Sequence, residues 1–180
     1  MLDDRIQRTK ITADEWRLGG IDAPVTLLEY GDFECPHCGA ARPVLERLVR
    51  DDPRAFQLIY RHFPVTTVHP HAMAAAEAAE AAGAQGKFWE MHDLIFTYQD
   101  RLEPVDLRRY AGAIGLDPAR FDLEMASHAH QATVREDVRR GIQDGVNGTP
   151  TIFIHRVRYD GPRERESILA AVAALEAGIE

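Results

Sequence analysis

A framework of structural disulfides is excluded for this chain, because only two cysteines occur in its 180 residues. A domain of this length buries roughly 70% of its unfolded surface and needs no such staple. The sequence also lacks any run of about 18 apolar residues, which excludes a membrane-spanning helix. Basic residues are in the minority, and the net charge of −8 argues against nucleic acid or an anionic membrane as the partner.

Two kinds of signal are missing as well. Residues 1–8 contain no apolar signal-peptide core and no small-residue cleavage site, so a cytoplasmic protein is expected. A chain whose export signal had been removed would look the same and would be periplasmic or extracellular. No glycine-rich phosphate loop and no flavin or nicotinamide motif occurs, so no separate cofactor is expected.

The order of the predicted elements indicates one α/β sheet that a helical insertion interrupts. Residues 25–30 are an almost continuous apolar run, typical of a strand that is covered on both faces. Residues 56–63 are predicted to form a second buried strand, which Pro64 ends. A helix over 40–50, kinked at Pro43, is predicted between them. Later in the chain, helices are predicted over 72–82, 88–98, 105–114, 118–127 and 132–143, then strands over 151–154 and 157–159 and a helix over 163–177.

The domain boundaries follow from this order. Neither end of the chain has enough strands for a stable sheet of its own, so both ends are expected to share one sheet. Residues 1–21 are polar and mixed, and they are predicted to form an N-terminal arm packed on the domain. A single domain is expected over residues 22–180, with the helical insertion at about residues 68–146.

The two cysteines stand in Cys35-Pro36-His37-Cys38, after the first buried strand, where a helix is expected to begin. A helix N-terminus offers free N–H groups and about half a positive charge, which stabilise a thiolate at an exposed Cys35. Pro36 suits the first helical position, and His37 adds a hydrogen-bond donor or a positive charge. Cys38 follows one turn inward, where it can resolve a mixed disulfide. The motif therefore predicts two-cysteine redox chemistry.

Zinc binding is the alternative interpretation of the same spacing, because two cysteines two residues apart form half of many zinc sites. The pairs His69/His71 and His128/His130 are candidates for the other half. Neither pair has the usual gap of about three to five residues, and Pro36 with His37 favours redox use. His69 and His71 stand at a predicted helix start, where helix caps or surface groups are expected, and no metal is predicted.

Glu29 interrupts the first apolar strand shortly before the cysteines. Its side chain is predicted to point into the domain beneath the motif. A buried carboxyl has a raised pKa and can exchange a proton with Cys38 during a redox cycle. The alternative is a glutamate at the strand end that reaches solvent.

Gly148-Thr149-Pro150-Thr151 precedes the late strand. A proline at the start of a strand can be cis, usually in a tight turn. An ordinary turn is the alternative, because Asn147-Gly148 alone signals a bend.

Together these residues resemble the thioredoxin superfamily, and in detail its DsbA-like branch. Cys35-Pro36-His37-Cys38 matches the active-site tetrapeptide of that branch, and Glu29 falls where it has a buried acid. Gly148-Thr149-Pro150 matches its cis-proline loop, and the block over about 68–146 matches its helical insertion. The resemblance covers about residues 22–178 and implies a thioredoxin-like α/β fold, with a central mixed sheet and a helical insertion between its two halves.

The resemblance also implies the roles of the site residues. In that family the cis-proline faces the cysteine pair, and the backbone of the preceding residue pairs with an extended substrate chain. The implied substrates are protein or peptide thiols and disulfides, with a further redox partner that resets the cysteines, and a monomer without membrane insertion is expected. The implied catalytic residues are Cys35, Cys38, His37, Pro36 and Glu29, and the implied substrate-binding residues are Thr149 and Pro150.

Features of the sequence favour different directions of thiol-disulfide exchange. The tetrapeptide suggests a fairly oxidising potential, nearer about −120 mV than about −270 mV, but a cytosolic redox poise would keep such a pair reduced. The exported oxidases have a valine before the cis-proline. This chain has Thr149 there, and isomerases and reductases of the superfamily also have a threonine at that position. Oxidase, reductase and isomerase therefore all stay open.

Two other classes of function remain as alternatives. One is a non-catalytic module, either zinc-binding or redox-sensing, within a larger assembly, since some relatives of this domain are fused to membrane transporters. The other is a glutathione-dependent enzyme on the same fold.

Overall fold

Five strands and seven helices build residues 6–178, the part of the chain that this computed structural model describes. The predictions that fall on residues 1–5 and 179–180 lie outside the described residues. The strands are β1 (Trp16–Gly19), β2 (Val25–Gly31), β3 (Phe56–His62), β4 (Thr151–Ile154) and β5 (Val157–Tyr159). The helices are α1 (Pro36–Asp51), α2 (Ala72–Gly83), α3 (Phe88–Thr97), α4 (Pro104–Ala113), α5 (Pro118–Ala126), α6 (Gln131–Gln143) and α7 (Arg165–Glu176).

A mixed sheet in the order β1-β3-β2-β4-β5 forms the centre of the fold. β2 and β3 are parallel, and the other neighbouring strands are antiparallel. The central strand β2 is covered on both faces, as its apolar run predicts, with Leu27 in the core cluster on one face and Leu28 in the cluster on the other. Because β4 follows the helical block and pairs with β2, the two ends of the chain share one sheet. The predicted α/β fold with an insertion is confirmed.

Helices α2 to α6 form the predicted insertion, and their ends agree with the sequence-based bounds to within one residue. Helix α2 is mostly alanine, and nearly all of its residues are buried. Its small side chains let neighbouring helices pack closely against it, in one core cluster with the aromatic residues of α3. No helix within residues 6–178 is long and apolar enough to cross a membrane.

Helix α1 begins at Pro36 inside the cysteine motif, where the sequence predicts a helix start, with Cys35 as its N-cap. The apolar periodicity shows the helix only from about residue 40, because the motif itself has no apolar stripe. Pro43 lies inside the helix. The motif therefore straddles the helix start, with one cysteine at the cap and the other in the first turn.

The predicted N-terminal arm contributes a strand that the sequence did not reveal. β1 pairs with β3 at the edge of the sheet, with Trp16 opposite Tyr60. It has only four residues, mostly half-buried, so it lacks the apolar run that marks β2. Gly19 ends it with a φ of +90°, and a Cβ at this position would collide with the backbone of Phe56. The sheet thus begins inside the residues predicted as an arm.

A buried network around Arg61 fixes the rest of this segment to the domain. The guanidinium is 1% exposed and donates to the carboxylate of Glu15 at 2.6 and 2.8 Å and to the hydroxyl of Tyr30 at 2.6 Å. Asp144 accepts from the Tyr30 hydroxyl and from the backbone N–H of Thr9, both at 2.7 Å. Paired and hydrogen-bonded charges of this kind can be buried without leaving an uncompensated ion.

Candidate active site at the cysteine pair

The two cysteines lie where β2 leads into α1. Cys35 has an extended backbone, with φ −76° and ψ 120°, and its carbonyl accepts from the N–H groups of Cys38 at 3.1 Å and Gly39 at 3.2 Å. Pro36 occupies the first helical turn, where a missing N–H leaves no bond unmade. Cys38 is buried one turn further in, and both thiols are free.

The sequence predicts an exposed Cys35, and this prediction is wrong. Only 4% of the surface of Cys35 is accessible. The loop before β4 lies against it, and the Cys35 thiol donates to the carbonyl of Thr149 at 3.4 Å. The peptide bond between Thr149 and Pro150 is cis, which is one of the two outcomes that the sequence allows. The sequence around the helix start could not predict that this loop buries Cys35, because Thr149 is 114 residues away along the chain.

Hydrogen bonds lower the pKa of Cys35 from 9.0 to about 5. The largest contribution is the bond from the Cys38 thiol; burial acts in the opposite direction, and a bond from the side chain of Thr149 and bonds from the N–H groups of Cys38 and His37 then add to the lowering. These donors stabilise the thiolate more than the thiol. Since the thiolate is the nucleophilic form, Cys35 is the candidate nucleophile.

The pKa of Cys38 moves in the other direction. Burial raises it well above the usual range, and the bond with Cys35 and the negative charges of Glu29 and Cys35 raise it further. The backbone N–H of Asp32 donates to the Cys38 sulfur at 3.4 Å and acts the opposite way. The pair is therefore strongly asymmetric, with one sulfur poised as a thiolate and the other held as a thiol.

Pro36 and His37 have exposed side chains beside the buried sulfur. The sequence points to the His37 side chain as the group that stabilises the thiolate. In the structure it is the backbone N–H of His37 that lowers the pKa of Cys35. Any residue other than proline would supply that N–H, so this electrostatic effect belongs to the helix start.

Glu29 is buried beneath the motif, as predicted, with 2% of its surface exposed. Burial is the largest cause that raises its pKa to about 8; the charge of Glu46 adds to it, Arg163 opposes it, and Cys35 adds a smaller increase. Its Oε1 has no hydrogen-bond partner in the described structure. A carboxyl with such a pKa is protonated at neutral pH and can give up its proton to a strong base nearby.

Two histidines bind the acidic residues on either side of Phe33, which the sequence did not predict. Nδ1 of His69 lies 2.8 Å from Oδ2 of Asp32, and Nδ1 of His71 lies 2.9 Å from Oε1 of Glu34. His71 is the N-cap residue of α2, but its side chain makes no capping bond. Each histidine is therefore a partly exposed group paired with a carboxylate rather than a helix cap, with 19% of the His69 side chain and 35% of the His71 side chain exposed. The available signal was the matching pattern of acid-x-acid before the cysteines and histidine-x-histidine after β3.

Gln99, in the loop after α3, holds the start of α1 in place. Its Nε2 donates to the backbone carbonyl of Phe33 at 2.8 Å and to that of Cys35 at 2.9 Å. Gly39 lies against its Oε1 so closely that a Cβ there would collide. No sequence pattern marks this residue, because its bonds reach back 64 and 66 residues along the chain.

Gln99→Ala is expected to lower the free energy of unfolding by about 1–2 kcal/mol, since two backbone carbonyls lose their shared donor. Urea denaturation measures this change, with Gln143→Ala on the exposed end of α6 as the matched control. A loss under about 0.5 kcal/mol, the size of an ordinary surface substitution, would contradict a clamping role for Gln99.

The histidines proposed for a zinc site do not meet the cysteines. Among residues 6–178, no group of three potential ligands includes Cys35 or Cys38. His128 lies 3.2 Å from Glu77, and His130 lies 3.0 Å from Glu124. The geometry therefore gives the zinc alternative no support.

A different cluster, Glu46 with His92 and Asp93, has ligand atoms within 4.8 Å of one another. Arg50 lies 3.1 Å from Glu46 and 3.2 Å from Asp93, and Arg42 lies 3.7 Å from each. Two guanidinium groups thus already balance the two carboxylates that would have to attract a cation.

Comparison with known proteins agrees with this geometry. A family model described as thioredoxin matches residues 12–174. The thioredoxin-like oxidoreductase from Silicibacter pomeroyi superposes with a TM-score of 0.81 at 26% identity, covering 92% of this chain and 94% of that one. The α-DsbA1 of Wolbachia pipientis superposes with a TM-score of 0.77 at 20% identity, covering 94% of each chain.

The curated relatives are much longer than this chain. The Na(+)/H(+) antiporter NhaA 3 of Salinispora tropica is 47% identical over 154 residues, which are 86% of this chain but 24% of that protein. The chain thus spans about a quarter of the length of the curated relatives that it matches.

The fold and the cysteine pair define a protein with a thioredoxin-like fold and a DsbA-type helical insertion. The chain belongs to the thioredoxin family, and the resemblance to its DsbA-like branch is confirmed.

Proposed function

We propose that this protein is a thiol-disulfide oxidoreductase that exchanges disulfides with protein substrates through Cys35 and Cys38. The observation that carries the proposal is the asymmetry of the pair: hydrogen bonds lower the pKa of Cys35 to about 5, and burial raises that of Cys38. Exchange requires a thiolate that attacks or leaves easily and a second thiol that resolves the mixed disulfide.

The proposed cycle starts from the oxidised pair. A substrate thiolate attacks the Cys35 sulfur, the bond between the two cysteines breaks, and a mixed disulfide forms at Cys35. Cys38 leaves as a thiolate and takes a proton, for which we assign buried Glu29 as the donor. A second substrate thiolate attacks the substrate sulfur of the mixed disulfide, and Cys35 leaves as its stabilised thiolate. The substrate gains a disulfide, the pair gains two electrons, and substrate reduction is the reverse sequence.

Thr149 and Pro150 are the proposed substrate-binding residues. The carbonyl of Thr149 lies 3.4 Å from the Cys35 sulfur, so a chain that pairs with this backbone would place its own sulfur near the nucleophile. Pairing through the backbone suits extended protein or peptide chains of varied sequence. A second thiol or disulfide partner resets the pair, and no separate cofactor takes part.

The equilibrium of the pair with glutathione tests this function. A stabilised Cys35 thiolate favours the reduced form, which makes the disulfide a stronger oxidant, so we expect a potential nearer about −120 mV than about −270 mV. The fraction of reduced protein at each ratio of reduced to oxidised glutathione is measured after acid quenching and alkylation. A value near about −270 mV would support a reductase, and failure to form the disulfide reversibly would contradict the proposal.

A redox-sensing module is the second candidate, and the length of the relatives favours it. The curated relatives are named antiporters, and the match covers only about a quarter of their length. In those proteins the domain is therefore joined to a much larger part. A sensor needs the same reversible disulfide but no turnover. Reduction of insulin by dithiothreitol distinguishes the two, because a catalyst present at about a hundredth of the insulin concentration accelerates it and a sensor does not.

A further inference from the structure

Asp32 connects the cysteine pair to the loop after β3. It is buried, and its backbone N–H donates to the sulfur of Cys38 at 3.4 Å. Its carboxylate accepts from the backbone N–H of Glu34 at 2.8 Å and from that of Val65 at 2.7 Å. The conformation of Asp32 therefore sets the direction of the N–H group that reaches the resolving sulfur.

His69 provides the side-chain contact to this carboxylate. Its Nδ1 lies 2.8 Å from Oδ2 of Asp32, and because a carboxylate only accepts, Nδ1 is the donor. The imidazole is 19% exposed and the carboxylate is fully buried. The backbone N–H of His69 donates to the carbonyl of Val65 at 3.0 Å, so the turn that carries the histidine is itself fixed.

We propose that His69 is a positioning residue of the cysteine pair: its bond to Asp32 holds the backbone N–H of that residue against the resolving sulfur, and its protonated form favours the Cys35 thiolate. The proposal rests on the proposed function and adds a residue that neither the tetrapeptide nor the cis-proline loop contains.

The charges around His69 support the second half of this role. Burial lowers the pKa of His69, but the bond to Asp32 and the negative charges of Asp32, Cys35 and Glu34 outweigh it and raise the pKa overall. His71, on the same turn, is paired with Glu34. Coupling between two sites is reciprocal, so if the Cys35 thiolate stabilises protonated His69, then protonated His69 stabilises the thiolate.

The consequence appears in the redox equilibrium. Forming the disulfide removes the thiolate charge, so a cation beside it favours the reduced pair and makes the disulfide more oxidising. Loss of His69 should therefore raise the pKa of Cys35 and make the pair easier to oxidise by the same factor.

The test compares His69→Ala with His130→Ala in the full chain. His130 is a close match, because it is 20% exposed and bonds a single carboxylate at 3.0 Å, that of Glu124. Two quantities are measured for each: the equilibrium constant with glutathione, and the pKa of Cys35 from thiolate absorbance at 240 nm. For His69→Ala we expect a shift of about 3- to 10-fold toward the disulfide and a rise of about half to one unit in the pKa of Cys35. His130→Ala should stay within about twofold of wild type.

His69→Asn separates positioning from charge and serves if the alanine variant does not fold. The asparagine amide can donate near the place of Nδ1 without a charge, so part of the shift should remain. The inference is overturned if wild type shows a reversible disulfide and a low thiol pKa while both His69 variants match His130→Ala within about twofold. If wild type itself shows neither property, the proposed function fails together with this inference.

Discussion

Replacing Cys35 by serine is expected to lower thiol-disulfide exchange by more than about 10³-fold, on the scale of losses that follow removal of a catalytic nucleophile. A serine hydroxyl stays protonated under the conditions in which hydrogen bonds hold Cys35 as a thiolate, with a pKa of about 5. The measurement is the rate of insulin reduction by dithiothreitol, or the rate at which the oxidised protein forms a disulfide in a reduced peptide.

Cys38→Ser is the matched control for that experiment. It retains the nucleophile and lacks the resolving thiol, so a mixed disulfide between Cys35 and the substrate should accumulate and be visible by mass spectrometry. Equal turnover by Cys35→Ser and wild type would contradict the catalytic assignment. A mixed disulfide at Cys38 in the Cys35→Ser variant would show that the roles of the two sulfurs are reversed.

Glu29→Gln is expected to change how stability depends on pH. The pKa of Glu29 is raised from 4.5 to about 8, so the folded protein keeps a proton that the unfolded chain releases. Its contribution to stability is present below about pH 4.5 and is lost as the pH rises toward 8, by up to about 1.4 kcal/mol per unit. Glutamine carries no such proton. Relative to wild type, the variant should therefore gain stability across this window, by several kcal/mol in total.

Urea denaturation at pH 5, 6, 7 and 8 measures this difference. Cys35 acts in the opposite direction, since its lowered pKa adds stability above about pH 5, so wild type alone would show a partly cancelled slope. The difference between variant and wild type removes that cancellation. Glu90→Gln, on the exposed face of α3, is the control and should keep the wild-type slope. A constant difference between Glu29→Gln and wild type from pH 5 to 8 would contradict the buried, protonated carboxyl.

The parts of the site that the sequence predicts are those built from neighbours in the chain. The cysteine motif predicts a helix start, and α1 does begin there. Glu29 stands out as a charged residue in an apolar strand, which predicts either a buried side chain or one at the strand end that reaches solvent. The side chain is buried. The helices of the insertion follow from apolar periodicity and from breaks at glycine and proline.

The parts that the sequence missed depend on contacts between distant segments. β1 is stabilised by pairing with β3 and has no apolar run of its own. The bonds from His69 to Asp32 and from Gln99 to Cys35 cross 37 and 64 residues. The burial of Cys35 likewise comes from a loop far along the chain. A prediction from the helix start alone therefore overestimates the exposure of its sulfur. Pattern and spacing predict elements, and tertiary packing decides which side chains meet.

The thiolate titration of the reduced wild-type protein tests the central claim most directly. Absorbance at 240 nm is recorded from about pH 3 to 10, with the oxidised protein as the baseline. The structure predicts one thiolate that forms with a pKa of about 5, while the second sulfur stays protonated over the whole range. Two thiols that both titrate near about 8.5, the value of a free cysteine, would contradict the assignment of Cys35 as the activated nucleophile.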